Sequence, residues 1–309
     1  MRRQIIVMFC SLFCFAFGPV WAADQATDQT TDQERAPNRG ALFKVRSGEH
    51  ALYLFGTIHV GSKDFYPFEP RVAGALKRAP VLALEIDPLG DPQKLARAVQ
   101  KYGLVGPGAA APALSPEWRR RLDVLLKQYK IEPQTVAAMK PWLLASVLTV
   151  SEFASQGYDA AQAVDSHLAK QAHDRGQKVI ELESPEGQMG LFGNLSPAEQ
   201  LLFLQETIAG IEDKEQARQA REIAEAWRNA DIKALDALAA QAERDDTFSG
   251  RFVQKVLLDG RNPALADSMA KLMARENNSV AAIGVLHLIG KGSVPELLRQ
   301  RGMTVERIY

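Results

Sequence analysis

The chain has almost no cysteine. Its two cysteines, Cys10 and Cys14, both fall in the first 22 of 309 residues. Past that point disulfide staples and thiolate chemistry are excluded, and in an oxidising compartment stability has to come from a packed core. There is no excess of either charge, with 37 basic and 37 acidic residues. That balance gives no basic surface for nucleic acid. No second long hydrophobic run follows the N-terminus. Several catalytic signatures are also missing: G-x-x-x-x-G-K-[ST], H-E-x-x-H and the G-x-S-x-G nucleophile elbow. The stretch "GLVGPG" at 103–108 lacks the strand-before, helix-after context of a nucleotide loop.

What is present begins with a secretory pattern over residues 1–22. Arg2 and Arg3 form a positive n-region, Ile5 to Phe17 an apolar h-region, and Val20-Trp21-Ala22 a small-residue cleavage site. The alternative, an N-terminal membrane anchor, fits less well because the apolar stretch is short for a span. Removing Arg2 and Arg3 leaves 35 basic residues against 37 acidic, a net charge of −2. Residues 23–40, "ADQATDQTTDQERAPNRG", lack apolar side chains to bury and read as a disordered leader. The expectation is an exported protein, periplasmic or secreted, with no stable membrane span after cleavage.

From residue 41 the patterning alternates between strands and helices. Residues 41–57 read as two strands around a Ser47-Gly48 turn. "PFEPRVAGALKRAP" reads as a helix with Val72, Leu76 and Ala79 on one side, and "VLALEID" at 81–87 as a buried strand. Ser115-Pro116-Glu117 is a helix start. "PWLLASVLTVSEFASQ" from Pro141 reads as a core helix or the lining of a groove, being too short and interrupted for a span. "AVDSHLAKQAHDRG" is a helix and "KVIELES" a strand. Residues 196–245 read as two or three surface helices. "NPALADSMAKLMAREN", "SVAAIGVLH", "SVPELLRQRG" and "MTVERIY" close the chain as helix, strand, helix, strand. This predicts an α/β (mixed α+β) fold: one domain over 41–309, a central mixed sheet built from both chain ends, and a helical insertion over about 91–260.

Four strand ends carry polar residues that could act together: His59, Glu85, Glu183 and His287. Ligands in open α/β sheets bind beyond strand carboxyl ends. Both histidines follow a glycine by three positions, in Gly56-Thr57-Ile58-His59 and Gly284-Val285-Leu286-His287. A glycine there permits either a sharp turn or a close approach. Two imidazoles with one or two carboxylates suit a divalent metal such as Zn, Mn, Co or Fe, which would activate water. A metal-free alternative uses a histidine as base, oriented by a glutamate. Arg261 and Asn262 are candidates to bind an anionic group or an oxyanion, or equally to serve as salt-bridge partner and cap. His50, His167 and His173 read as structural or solvent-exposed.

These elements, in order, resemble the TraB/PrgY/GumN family, which includes the animal Tiki proteins. The resemblance rests on "LYLFGTIHVG", "LALEID", "KVIELESPEGQ", "LLDGRNPALADSM" and "VAAIGVLHLIGKGSVPELLRQRGMTVERI". It implies a Tiki/erythromycin-esterase-like fold and a metal-dependent peptidase acting on a peptide or protein, with Mn or Co favoured. It implies His59, Glu85 and His287 as metal ligands, Glu183 as further ligand or base, and Arg261 as substrate or transition-state binder. The wider superfamily also contains erythromycin esterase-like hydrolases, a haem-binding protein and members linked to inhibition of pheromone signalling. A metal-free esterase-type hydrolase using a His/Glu base is therefore the catalytic alternative, and a peptide, pheromone or haem binder the non-catalytic one. Asp165 and Gln188 lie in family-typical stretches without an assigned chemistry. Before Asp165 the pattern leads one to expect a glycine, where this chain has Val164.

Overall fold

The computed structural model describes residues 36–106, 108 and 112–309. The expected secretory segment, and the expected leader up to residue 35, lie outside the described residues. The fold is mixed α/β, as the patterning predicts. Six strands form one sheet in the order β4-β3-β5-β2-β1-β6. They are β1 (Leu42–Ser47), β2 (His50–Thr57), β3 (Val81–Leu84), β4 (Lys178–Glu181), β5 (Ser279–Gly284) and β6 (Thr304–Arg307). β1 and β2 form the expected hairpin, with Ser47 opposite His50. β2, β5, β3 and β4 run parallel to one another, and β6 closes the other edge antiparallel to β1. β3 and β5 are buried along nearly their whole length, as parallel strands covered on both faces must be.

Two of the chain's boundaries differ from the sequence reading. The helical middle is not one insertion over about 91–260. β4 returns to the sheet within it and divides it, because the helix Val164–Asp174 packs on β3 and β4 and delivers the chain back to the sheet edge. The packed domain also begins before residue 41. The Gly40 N–H donates to the Trp227 carbonyl at 2.6 Å, and Arg39 donates to the Arg228 carbonyl at 2.8 Å.

Prolines start many of the helices, where the missing N–H costs nothing. Pro70, Pro116, Pro141, Pro185 and Pro197 all open helices. The Pro197–Glu212 helix adds a full capping box between Ser196 and Glu199. The segment 196–245 does form three helices, Pro197–Glu212, Glu215–Arg228 and Ile232–Ala242. They are not surface helices, however. Phe203, Leu204, Ile208 and Trp227 are buried in the main core. Trp227 packs on Phe65 and Phe55, and its indole N–H donates to the Gly56 carbonyl at 2.8 Å. An aromatic from the middle of the chain therefore pins the first glycine-histidine element in place. Among the described residues no helix is long and apolar enough to cross a membrane.

Candidate functional site

Four consecutive strands, β4, β3, β5 and β2, point the same way, so their carboxyl ends share one edge of the sheet. Glu183 follows β4, Glu85 follows β3, His287 follows β5 and His59 follows β2. The four sequence candidates thus stand side by side in strand order. The pairing of β3 and β4 continues past the strands, with the Glu183 N–H donating to the Glu85 carbonyl at 2.9 Å. All of these side chains except Glu183 are almost wholly buried.

The glycines serve close approach rather than a turn. In the parallel register Gly56 faces Ile283 and Thr57 faces Gly284. A Cβ on Gly56 would lie 2.9 Å from Val285 Cγ2 and 3.2 Å from Val285 Cα. A Cβ on Gly284 would lie 3.3 Å from Glu85 Oε1, 3.5 Å from His59 Nε2 and 3.7 Å from His287 Cδ2. The Gly284 α-carbon is therefore the floor on which both imidazoles and the carboxylate meet. Its own N–H donates to Glu85 Oε1 at 2.6 Å.

Each imidazole is oriented from behind. His59 Nδ1 stands 3.1 Å from Asp165 Oδ2. A carboxylate only accepts, so Nδ1 carries the proton. Asp165 sits in the first turn of the Val164–Asp174 helix, whose start is tied to the His59 loop by the Val164 N–H donating to the Ile58 carbonyl at 3.0 Å. Val164 stands where a glycine was expected, and the helical start accommodates it without disturbing that contact. His287 Nδ1 lies 2.6 Å from Asn262 Oδ1. The Asn262 amide nitrogen donates to the Gly292 carbonyl at 2.8 Å, which turns its oxygen towards the imidazole. His287 Nε2 faces Glu85 Oε1 at 4.0 Å.

Arg261 binds the two glutamates together. Its Nη2 donates to Glu85 Oε2 at 2.5 Å, and its Nε and Nη2 both donate to Glu183, the Nε bond to Oε1 being 3.0 Å long. Gln188 adds a second bridge, donating to Glu183 Oε2 at 2.8 Å and Glu85 Oε2 at 3.1 Å. Local sequence builds both bridges. Ser184 caps the Pro185–Gly193 helix, which brings Gln188 back over Glu183 one turn later. On the other side, a wide helical turn over Val253–Asp259 ends at Gly260, where a Cβ would come 2.7 Å from the Val256 carbonyl oxygen. Arg261 and Asn262 follow, the first serving the glutamates and the second His287. Of the two roles open for Arg261 in the sequence, the structure displays the salt-bridge partner.

The charges follow from this arrangement. Burial pushes the Glu85 carboxyl up, but Arg261, the two imidazoles and the Gly284 N–H outweigh it and hold the group well below the carboxylate range. Burial likewise pushes Arg261 down, yet Glu85 and Glu183 keep it firmly protonated. The two histidines diverge. For His59, burial lowers the pKa, while Asp165 and then Glu85 raise it more, leaving it above the ordinary value. For His287, burial and the nearby Arg261 lower it to about 3.

The donor set has the chemistry of a two-histidine, one-carboxylate site for a divalent ion. Each imidazole has the orienting acceptor behind Nδ1 that metal-bound histidines use, and Gly284 leaves the space between the three donors clear of a Cβ. In that sense His59, Glu85 and His287 fit an ion. Two features bear the other way: Arg261 already balances the Glu85 charge, and among the described residues no three His, Cys, Asp or Glu side chains stand grouped at metal-binding separations.

His59 and His287 line a small cleft of about 20 Å³, with room for one water molecule. Glu85, Glu183 and Arg261 are outside its lining. The other histidines are elsewhere. His50 bonds to the Met273 carbonyl and His173 to Asp87. His167 takes the structural role, one of the two left open for it by the sequence. It stacks on Tyr66 with ring centroids 3.7 Å apart and lies 2.9 Å from the Gln171 amide nitrogen. Burial, helped by Lys170, lowers its pKa to about 4. The folded chain therefore keeps His167 neutral where the unfolded chain, at about 6.5, takes up a proton. Its contribution to stability is whole above pH 6.5 and is lost as pH falls towards 4, at most about 3 kcal/mol. His167→Phe, which keeps the stacking, is expected to flatten the fall in urea midpoint between pH 6.5 and 4.5. Equal slopes for wild type and variant would refute this.

Asp165 and Gln188 are the functional neighbours that motif reading left without a role. Asp165 has one local signal, a carboxylate in a helix first turn beside the inward positions Val164 and Leu168. Gln188 has another, an amide buried in an otherwise apolar helix.

Comparison with known proteins adds identity at the family level. The chain is 28% identical over 255 residues to the uncharacterized protein YbaP of Escherichia coli (strain K12), covering 82% of this chain and 89% of that one. The same identity and coverage hold for YbaP of Shigella flexneri. An uncharacterized protein of Treponema pallidum (strain Nichols) is 22% identical over 269 residues, 84% of this chain and 80% of that one. No solved structure matches significantly. The family model described as TraB/PrgY/gumN matches residues 41–307, the whole span that carries the sheet and its paired histidines, and the chain belongs to that family.

Proposed function

We propose that the chain is an exported hydrolase, a peptidase acting on a peptide or protein, with His59, Glu85 and His287 holding a divalent metal. The observation that carries this reading is the convergence of two imidazoles and a carboxylate on Gly284, each imidazole with Nδ1 engaged by a buried acceptor. When bound, Mn, Co, Fe or Zn supplies an activated water and polarises a carbonyl. The chain's own residues do the positioning. Asp165 fixes the tautomer and plane of His59, and Asn262 does the same for His287. Arg261 and Gln188 hold Glu85 and Glu183 at a fixed separation, so the carboxylates need no reorganisation when charge develops nearby. Glu183, the least buried of the set, is assigned as a further ligand or the base, with Arg261 and Gln188 bound to its carboxylate.

A second reading has a specific observation in its favour. Arg261 already neutralises Glu85, and His59, raised by Asp165, has the orientation of a general base that needs no metal. Metal analysis of protein prepared without tag or chelator, beside a His59→Ala/His287→Ala variant, separates the two. Near-stoichiometric metal that is lost in the folded variant supports the first reading. Peptide turnover that survives chelation, with no metal taken up on titration, supports the second. Absence of turnover on a broad peptide library, with metal supplied, defeats the hydrolase proposal in both forms.

A further inference from the structure

The first glycine-histidine element carries a second polar side chain, Thr57, between Gly56 and His59. Thr57 ends β2, is 1% exposed, and pairs in the parallel register with Gly284. It shares a face of β2 with Phe55, two residues earlier. Phe55 packs on Trp227, and Ile223, one turn earlier on the same helix, lines the small cleft together with Thr57, His59, Gly284 and His287. Among the described residues three buried hydroxyls meet no protein partner, those of Thr57, Ser166 and Ser279, and Thr57 is the one that lines the cleft. Burying a hydroxyl without a hydrogen bond is costly. An isosteric valine would meet the apolar walls of Ile58, Val285 and Leu286 without that cost, so a threonine here calls for a polar partner. The space is about 20 Å³, enough for one water and too small for a substrate side chain. A buried water needs at least about two polar partners, and the lining offers the Thr57 hydroxyl and both imidazoles. With Nδ1 of His59 turned to Asp165, its Nε2 faces the Gly284 side.

From this we infer that the Thr57 hydroxyl holds the attacking water at His59 and His287. The inference rests on the hydrolase reading above and deepens it, in either form, by adding a residue that places the nucleophile. In the reaction the water oxygen bonds to the carbonyl carbon and the C–N bond breaks. The proton that the water gives up passes through the base to the departing nitrogen. Thr57 exchanges no proton in this scheme. A water bonded to Thr57 as well as to the histidine centre has its orientation fixed before the carbonyl arrives. Gly284 and Ile223 are the lining residues that keep some exposure. The carbonyl therefore approaches on that side, and no substrate side chain has to enter.

The test compares Thr57→Val, which keeps the shape and loses the hydroxyl, with Thr57→Ser, which keeps the hydroxyl. Crystal structures of the wild type and both variants, at a resolution that shows single waters, are read for a water within hydrogen-bond distance of residue 57 and an imidazole. Turnover is followed on a blocked peptide from a library screen, with manganese present, and a melt of each variant checks folding. The expected result is one ordered water on the hydroxyl in wild type and Thr57→Ser, lost or displaced in Thr57→Val. In Thr57→Val kcat is expected to fall roughly 10- to 100-fold with KM little changed, while Thr57→Ser keeps most of it. No water on Thr57 in the wild type, a water unmoved in Thr57→Val, or an unchanged kcat in that variant overturns the inference. So does a Thr57→Ser protein as slow as Thr57→Val. If Thr57→Val does not fold, the wild-type and Thr57→Ser structures decide. If no peptide turns over, a water lost with the hydroxyl upholds the water site and counts against the hydrolase reading alone.

Discussion

Arg261→Met is expected to cost about 3–5 kcal/mol of stability, roughly 10 °C in melting temperature for a chain of this size. The reason is what the substitution leaves behind. Glu85 and Glu183 are both drawn onto one guanidinium, and Gln188 holds their other lone pairs. Removing the cation leaves two carboxylates side by side, one of them almost fully buried, with an amide as their common partner. Arg261→Lys keeps the charge but loses the planar fork that reaches Glu183 through Nε and Nη2 together, so an intermediate loss is expected. Adding Glu85→Gln to Arg261→Met is expected to restore much of the stability, because the repulsion then has one charge fewer. A melting temperature for Arg261→Met within 2 °C or so of wild type would show that the clamp contributes little.

His59→Ala is expected to abolish turnover of any peptide that the wild-type chain cleaves, by about 10³-fold or more. His59→Gln is expected to be equally inactive while keeping an N–H for Asp165, which guards against reading a folding defect as a catalytic one. Asp165→Asn isolates the orienting contact. It retains the volume and a hydrogen bond but no longer demands that Nδ1 carry the proton. A loss of about 10- to 100-fold is expected, with the melt little changed. If Asp165→Asn leaves the rate intact while His59→Ala abolishes it, the imidazole acts without its partner. If His59→Ala itself retains full turnover, the reading of this site is wrong.

Much of the arrangement was legible from residues alone, for a physical reason. A strand buried on both faces is a short apolar run, so Leu52 to Thr57, Val81 to Leu84 and Ser279 to Gly284 announce themselves, and the polar residues just past them fall at one sheet edge once the strands run parallel. What escaped were the partners. Asp165 meets His59 across 106 positions, and Gln188 meets Glu85 across 103. Local pattern marks each of these residues as inward-facing at most, and nothing local names the partner it meets across the fold. Asn262 was visible as a position but not as the acceptor for His287. The Ala-, Glu- and Arg-rich composition of residues 196–245 concealed their burial for a similar reason. Small alanines such as Ala220, Ala224 and Ala239 allow these helices to pack tightly, and a few large side chains, Phe203, Leu204, Ile208 and Trp227 among them, supply the bulk.

The order of strands in the sheet also governs when a site can exist. β2 and β3, which bear His59 and Glu85, do not pair with each other, and β5 lies between them. β5 begins only at Ser279. A nascent or truncated chain that stops before it has two separate half-sheets, each exposing a parallel strand edge of unsatisfied backbone groups. Such a fragment holds His59 and Glu85 without bringing them together, and its exposed strand edges are expected to favour aggregation. The last central strand to be made acts as the keystone, since only its insertion brings His59 and Glu85 to one sheet edge.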